Sequence, residues 1–200
     1  MKEPAQISNV DDACVVIKDW FGWQHDLSGP PIILPFAVPE AIDTINRRIG
    51  RLWLPETTPR GRSKIFDSQD TMIPPLDYQA QPDGIVPMIW ENQAVWGCGF
   101  KPETGTQLWV TGDWPDDQKN TGGWRPTRDA VDTAIIFVLL ANTIWASADC
   151  AMDEGDDTPA EIDQLLWTFA PWAGFAGFWT NNDRTLIRMQ GSGWGVTARR

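Results

Sequence analysis

The sequence predicts an α+β fold, and three observations carry that prediction. Residues 85–90 and 94–100 are β-rich runs separated by Glu91-Asn92-Gln93, a three-residue connection of the hairpin kind. Apolar residues recur at helical spacing over residues 13–21 and 41–49. Residues 131–142 are apolar almost all round, which predicts a third helix packed between layers.

In chain order, Ser8 with Asp11 three residues on resembles a capping box, and Ala13, Val16, Ile17, Trp20 and Phe21 then form a helical stripe that Gly22 stops. Gly29-Pro30-Pro31 enforces an irregular loop, because proline fixes its own φ and restricts the residue before it. Pro39 suits the first turn of a second helix, Ala41, Ile42, Ile45 and Ile49 make its apolar stripe, and Gly50 can serve as its C′ residue. Residues 51–84 hold five prolines and few periodic apolar residues, so they predict a long ordered excursion with a short extended piece at Ile65-Phe66.

After the hairpin, Leu108-Trp109-Val110 predicts another strand, and residues 113–123 a polar loop. Thr127 can cap the third helix, on which Val131, Ala134, Ile135, Val138, Leu139 and Asn142 share a face. Residues 149–163 bring seven acids and no Lys or Arg, and Pro159 can begin a short helix through Phe169. Residues 175–179, 185–189 and 194–197 predict a meander that completes the sheet. No internal repeat or Gly/Ser linker marks a boundary, so residues 1–200 are expected to form a single domain.

Sixteen Lys and Arg against 27 Asp and Glu give a net charge of -11, which argues against nucleic acid or an anionic membrane as a direct partner and favours a basic protein. The longest apolar run, residues 134–141, is far shorter than the roughly 20 residues that span a bilayer. Cys14, Cys98 and Cys150 are odd in number and far apart, and Met1-Lys2-Glu3-Pro4 leads into polar sequence; reduced thiols in cytoplasm are expected. Thirteen tryptophans stand against one tyrosine and one histidine, and a few buried Trp rings could dominate the core energetics.

Catalytic chemistry is hard to assemble from this inventory. His25 lacks an H-E-x-x-H partner or a nearby cysteine, so no metal site of ordinary type is indicated, and a Ser-His-Asp triad would have to recruit that same residue. An EF-hand loop starting at Asp149 would place Ala151 at its third position and lack the glycine at its sixth. Gly193-Trp194-Gly195-Val196-Thr197-Ala198 matches G-x-G-x-x-A, but no βαβ unit can follow it. The expectation is a protein with no catalytic residues, metal or cofactor. A two-carboxylate hydrolase remains formally open, because 27 acids guarantee that some pair lies close together.

One arrangement is distinctive: Met88-Ile89-Trp90-Glu91-Asn92-Gln93-Ala94-Val95-Trp96, then Leu108-Trp109-Val110, then Trp124 before a long apolar helix. It resembles the SUKH superfamily of bacterial immunity proteins, in which a strand ending in an aromatic residue is followed by Glu-Asn-Gln, a tryptophan-bearing strand and a short Val-Trp-Val-like strand. The resemblance is clearest over residues 39–146. Two departures are that Ala94 stands where glycine is usual, and that Gly105-Thr106-Gln107 replaces the usual paired prolines. The resemblance implies a curved, mainly antiparallel sheet against helices. It also implies no enzymatic activity and a role in neutralising a polymorphic toxin, often a nuclease.

Trp90, Glu91, Asn92, Gln93, Trp96 and Trp109 are therefore the family-motif residues, with either a structural or a partner-contacting role, since an acidic side chain can accept turn amides. Charge suggests where a basic toxin domain would dock. Asp153, Glu154, Asp156 and Asp157 form one candidate acidic patch, and Asp113, Asp116 and Asp117 a second; the bland alternative for both is a solvated loop. The competing function is a carbohydrate-binding or cell-wall-associated module that stacks sugars on exposed tryptophans.

Overall fold

A computed structural model of the chain describes residues 6–54, 64–114, 122–154, 159–168, 175–191 and 193–200. Helix α1 spans Val10–Trp20. Its cap sits one residue later than predicted: the Asn9 side chain accepts the Asp12 backbone N–H at 2.9 Å, while the Ser8 N–H and hydroxyl both donate to the Asp12 carboxylate. Asp11 is thereby released to take a bidentate pair with Arg48 of α2, Glu40–Ile49, at 2.5 and 2.7 Å. Pro39, expected in the first turn of α2, is instead its N-cap residue, one position before Glu40. Gly50, predicted to end that helix in the left-handed region, instead has φ -61° and ψ -23° and continues into a 3-10 turn, Gly50–Trp53. Its glycine has a different cause: a Cβ there would collide with the Asn46 side chain.

Two antiparallel five-stranded sheets replace the single sheet expected. The first is a meander of β1 (Asp70–Met72), β2 (Val86–Glu91), β3 (Trp96–Phe100), β4 (Gln107–Gly112) and β5 (Arg125–Ala130), in that spatial order. The short extended piece predicted at Ile65-Phe66 lies instead at β1; those two residues are buried in a 3-10 turn, Lys64–Phe66. β5 occupies the place of the expected helix start. The Thr127 hydroxyl donates to the Leu108 carbonyl at 3.3 Å within the sheet, and α3, Val131–Ala146, begins after Ala130 with no side-chain cap.

The second sheet runs in the order β6-β10-β9-β8-β7, from β6 (Asp149–Glu154), β7 (Gln164–Trp167), β8 (Phe175–Thr180), β9 (Leu186–Gly191) and β10 (Trp194–Arg199). The predicted meander β8-β9-β10 is present. The acidic stretch supplies the edge strand β6, and the strand β7 stands where a short helix from Pro159 through Phe169 was expected. β6 pairs with β10 over six residues, from Trp194↔Glu154 to Arg199↔Asp149.

α3 explains the two layers. Twelve of its sixteen residues are buried, and it contacts β1, β3, β4 and β5 of one sheet and β9 and β10 of the other, as well as α1 and α2. A helix apolar all round must be covered all round. One hydrophobic cluster accordingly runs from Val10 and Ile17 of α1 through Ile135 and Leu139 to Ile89 and Val110 on one side, and to Ile187 and Val196 on the other. Among the described residues no helix is long and apolar enough to cross a membrane.

Candidate functional site

The Glu91-Asn92-Gln93 segment turns β2 into β3. The Glu91 Oε2 accepts the backbone N–H groups of Gln93 at 2.8 Å and Val95 at 3.1 Å, and the Ala94 N–H donates to the Glu91 carbonyl at 2.9 Å. Glu91 therefore satisfies amides that a bare turn would leave to water. The left-handed position of the turn falls on Ala94, with φ +58°. A Cβ there is strained, so Ala94→Gly is expected to stabilise the protein by about 1 kcal/mol; urea unfolding would show it as a raised midpoint at unchanged slope.

The motif tryptophans pack. Trp96 is buried edge-to-face against Trp114 at 5.1 Å, Trp90 meets Trp124 at 5.8 Å and lies over Gly97, and the Lys101 ammonium sits 4.4 Å from the Trp109 ring centroid. Every described tryptophan is buried or half-buried.

Where α3 passes between the sheets, a cavity of about 470 Å³ remains, within the range of small-ligand sites. Phe137, Ala141 and Trp145, spaced four residues apart on α3, line it. Met152, Met189, Trp194 and Val196 close it from the second sheet. The first sheet contributes Val95 and Trp96 together with three carboxylates: Asp70 on β1, Glu91 at the end of β2 and Asp113 after β4. Among the described residues no Lys, Arg or His lines this cavity.

Asp70 is held in the wall by α3. The fully buried Asn142 amide accepts the backbone N–H groups of Gln69 at 2.9 Å and Asp70 at 3.0 Å, and donates to the carbonyls of Asp70 at 2.8 Å and Ile65 at 3.0 Å. Both its hydrogens and both its lone pairs are used. The Asp70 residue is only 3% exposed, and its Oδ1 has no hydrogen-bond partner among the described residues. Burial, reinforced by the neighbouring Glu91 charge and only partly offset by the Asn92 backbone N–H, pushes its carboxyl up to about 7. Sequence reasoning missed both residues. Asn142 was visible only as a polar interruption of an apolar face.

Three of the residues in the two acidic patches are described: Asp153, Glu154 and Asp113. Asp153 on β6 makes a bidentate pair, 2.7 Å on each arm, with the fully buried Arg188 guanidinium, which also donates to Gln190 at 2.6 Å and Thr197 at 2.7 Å. That pairing holds the Asp153 carboxyl below the usual carboxylate range. Asp153 is thus engaged in an ion pair within the protein, although its own side chain remains exposed. Glu154 is exposed, stands opposite Trp194 in the β6-β10 ladder and shares a strand face with Met152, which lines the cavity. Asp113, from the other patch, reaches the same cavity from the first sheet. Asp116, Asp117, Asp156 and Asp157 lie outside the described residues.

The cysteines are all free thiols; burial pushes Cys14 up to about 12 and raises Cys98 and Cys150, so none is primed as a nucleophile. Among the described residues no three His, Cys, Asp or Glu side chains gather closely enough to hold a metal ion. Comparison with known proteins finds no matching family model, no matching curated protein and no matching solved structure.

Proposed function

We propose that this protein is an immunity protein of the SUKH type, which binds a basic toxin domain and occludes its cationic surface. The observation that carries the reading is the gathering of Asp70, Glu91 and Asp113 at the seam of the two sheets, with Glu154 beside them and no basic side chain in the described lining. A cationic surface meeting this seam gains Coulomb attraction, chiefly as faster association. The motif supports the family reading physically: Glu91 ties the turn, and Ala94, where that family usually has glycine, adopts the backbone conformation glycine favours. The carbohydrate alternative has less to draw on, since every described tryptophan is buried or half-buried.

A second reading, acid–base hydrolysis, draws on the carboxyl of Asp70 titrating near neutrality in a cleft. It is the weaker one, because Glu91 is already engaged by two turn amides. Capture of the native partner from its own cell, followed by association kinetics, tests the first. The association rate is expected to fall about tenfold between low and roughly 0.5 M salt, and the double variant Asp113→Asn/Glu154→Gln to associate more slowly with little change in dissociation. Kinetics indifferent to salt and to both substitutions would remove charge steering as the basis of recognition.

A further inference from the structure

We propose that the seam cavity is a receptor for one alkyl-ammonium or alkyl-guanidinium group carried on an aliphatic arm. The inference goes beyond the immunity reading, because the chemistry is the same whether that group arrives on a partner's side chain or as a free small molecule.

Three features of the cavity converge on this ligand. Its walls are the flexible thioethers of Met152 and Met189, the side chain of Val196 and the rings of Trp96, Trp145 and Trp194. Such a lining suits a methylene chain, and aromatic walls favour a cation. Its described charged side chains are all acidic: Asp70, Glu91 and Asp113 line it and no described Lys, Arg or His does. A buried residue in its wall also has an unfilled acceptor, since Asp70 is 3% exposed and its Oδ1 lacks a partner among the described residues. Buried polar atoms are almost always satisfied, and an N–H-bearing cation would supply a donor once the Asp70 carboxyl turns toward the cavity. A metal ion fits less well, because no three ligating side chains come close enough together.

Among the described residues the titratable groups around Asp70 are Glu91 on β2, Cys98 on β3 and, across the same cavity, Asp113 after β4; the described α3 and second-sheet side chains that line it are neutral. A cation favours the ionised carboxylate, so affinity should rise as Asp70 loses its proton near pH 7.

The test is titration of the intact protein with n-butylguanidinium or n-butylammonium chloride, with n-butylurea as the neutral counterpart, followed by tryptophan fluorescence and indole N–H chemical shifts. Saturable binding of the cations is expected, at least about tenfold tighter than the urea and about tenfold tighter at roughly pH 8 than at roughly pH 6. Asp70→Asn should weaken it by about tenfold or more. Met152→Lys, placed on an exposed edge position where the fold tolerates it, should fill the cavity with its own ammonium and abolish binding. A blocked arginine dipeptide that binds at least as tightly as n-butylguanidinium identifies a polypeptide side chain as the source; weaker binding identifies a free cation. Equal binding of cation and urea, no saturation, or binding untouched by both substitutions overturns the proposal.

Discussion

Replacing Asn142 by alanine is expected to cost about 4 kcal/mol of stability and to lower the melting temperature by roughly 10 °C. The side chain is fully buried and makes four hydrogen bonds, all to backbone groups of Ile65, Gln69 and Asp70. Alanine would leave two N–H groups and two carbonyls short of a partner, each loss carrying a desolvation penalty of about 1 to 3 kcal/mol, eased where water can follow. The same amide is what holds β1 against the helix, so cavity ligand binding should fail in this variant even at temperatures where it stays folded. Denaturant unfolding would measure the loss; a change under about 1 kcal/mol would mean that the 65–70 segment is held by something other than this amide.

Asp70→Asn carries the second large effect, and its sign depends on pH. The folded carboxyl titrates at about 7 against an ordinary value of 3.8. Between those two values the folded protein retains a proton that the unfolded chain releases, so stability falls as pH rises. The favourable contribution is whole below the unfolded value and gone above the folded one. The shift corresponds to about 4 kcal/mol from this one group. Asp26 and Asp153 pull the other way, because their carboxyls are held low by Ser28 and Arg188 and gain stability as pH rises. The clean measurement is thus the difference between variant and parent. Asp70→Asn should be the more stable protein by a few kcal/mol near pH 8 and lose that advantage near pH 4. Stability curves that run parallel across this range would show that Asp70 is not a buried acid. A residue that destabilises the free protein at neutral pH, in the wall of a cavity, is the kind of cost that binding sites carry.

Elements with strong periodicity were legible from the residues. Ile42, Ile45 and Ile49 mark α2, the β-rich runs either side of Glu91-Asn92-Gln93 mark β2 and β3, and all-round apolarity places α3 between layers. The elements that escaped have no such signal. β5, Arg-Pro-Thr-Arg-Asp-Ala, is a polar strand made by its pairing with β4, and β6, Asp-Cys-Ala-Met-Asp-Glu, is exposed along most of its length and exists because β10 supplies a ladder. Tertiary pairing overrides weak propensity in both. The division into two sheets follows from the same limit, since nothing local says which strands neighbour one another. At the site, Glu91 and Asp113 were legible as acids of interest, whereas Asp70 was one acid among 27 until its burial distinguished it.

The placement of α3 has a consequence for how the molecule comes apart. Its apolar surface is shared between two sheets that do not pair with each other, so peeling away either one would bare a helix face of Ile, Leu, Val and Phe to water. That exposure would cost roughly 25 cal/mol for every Å² uncovered. The helix therefore couples the two sheets, and thermal unfolding is expected to run as one transition and not two.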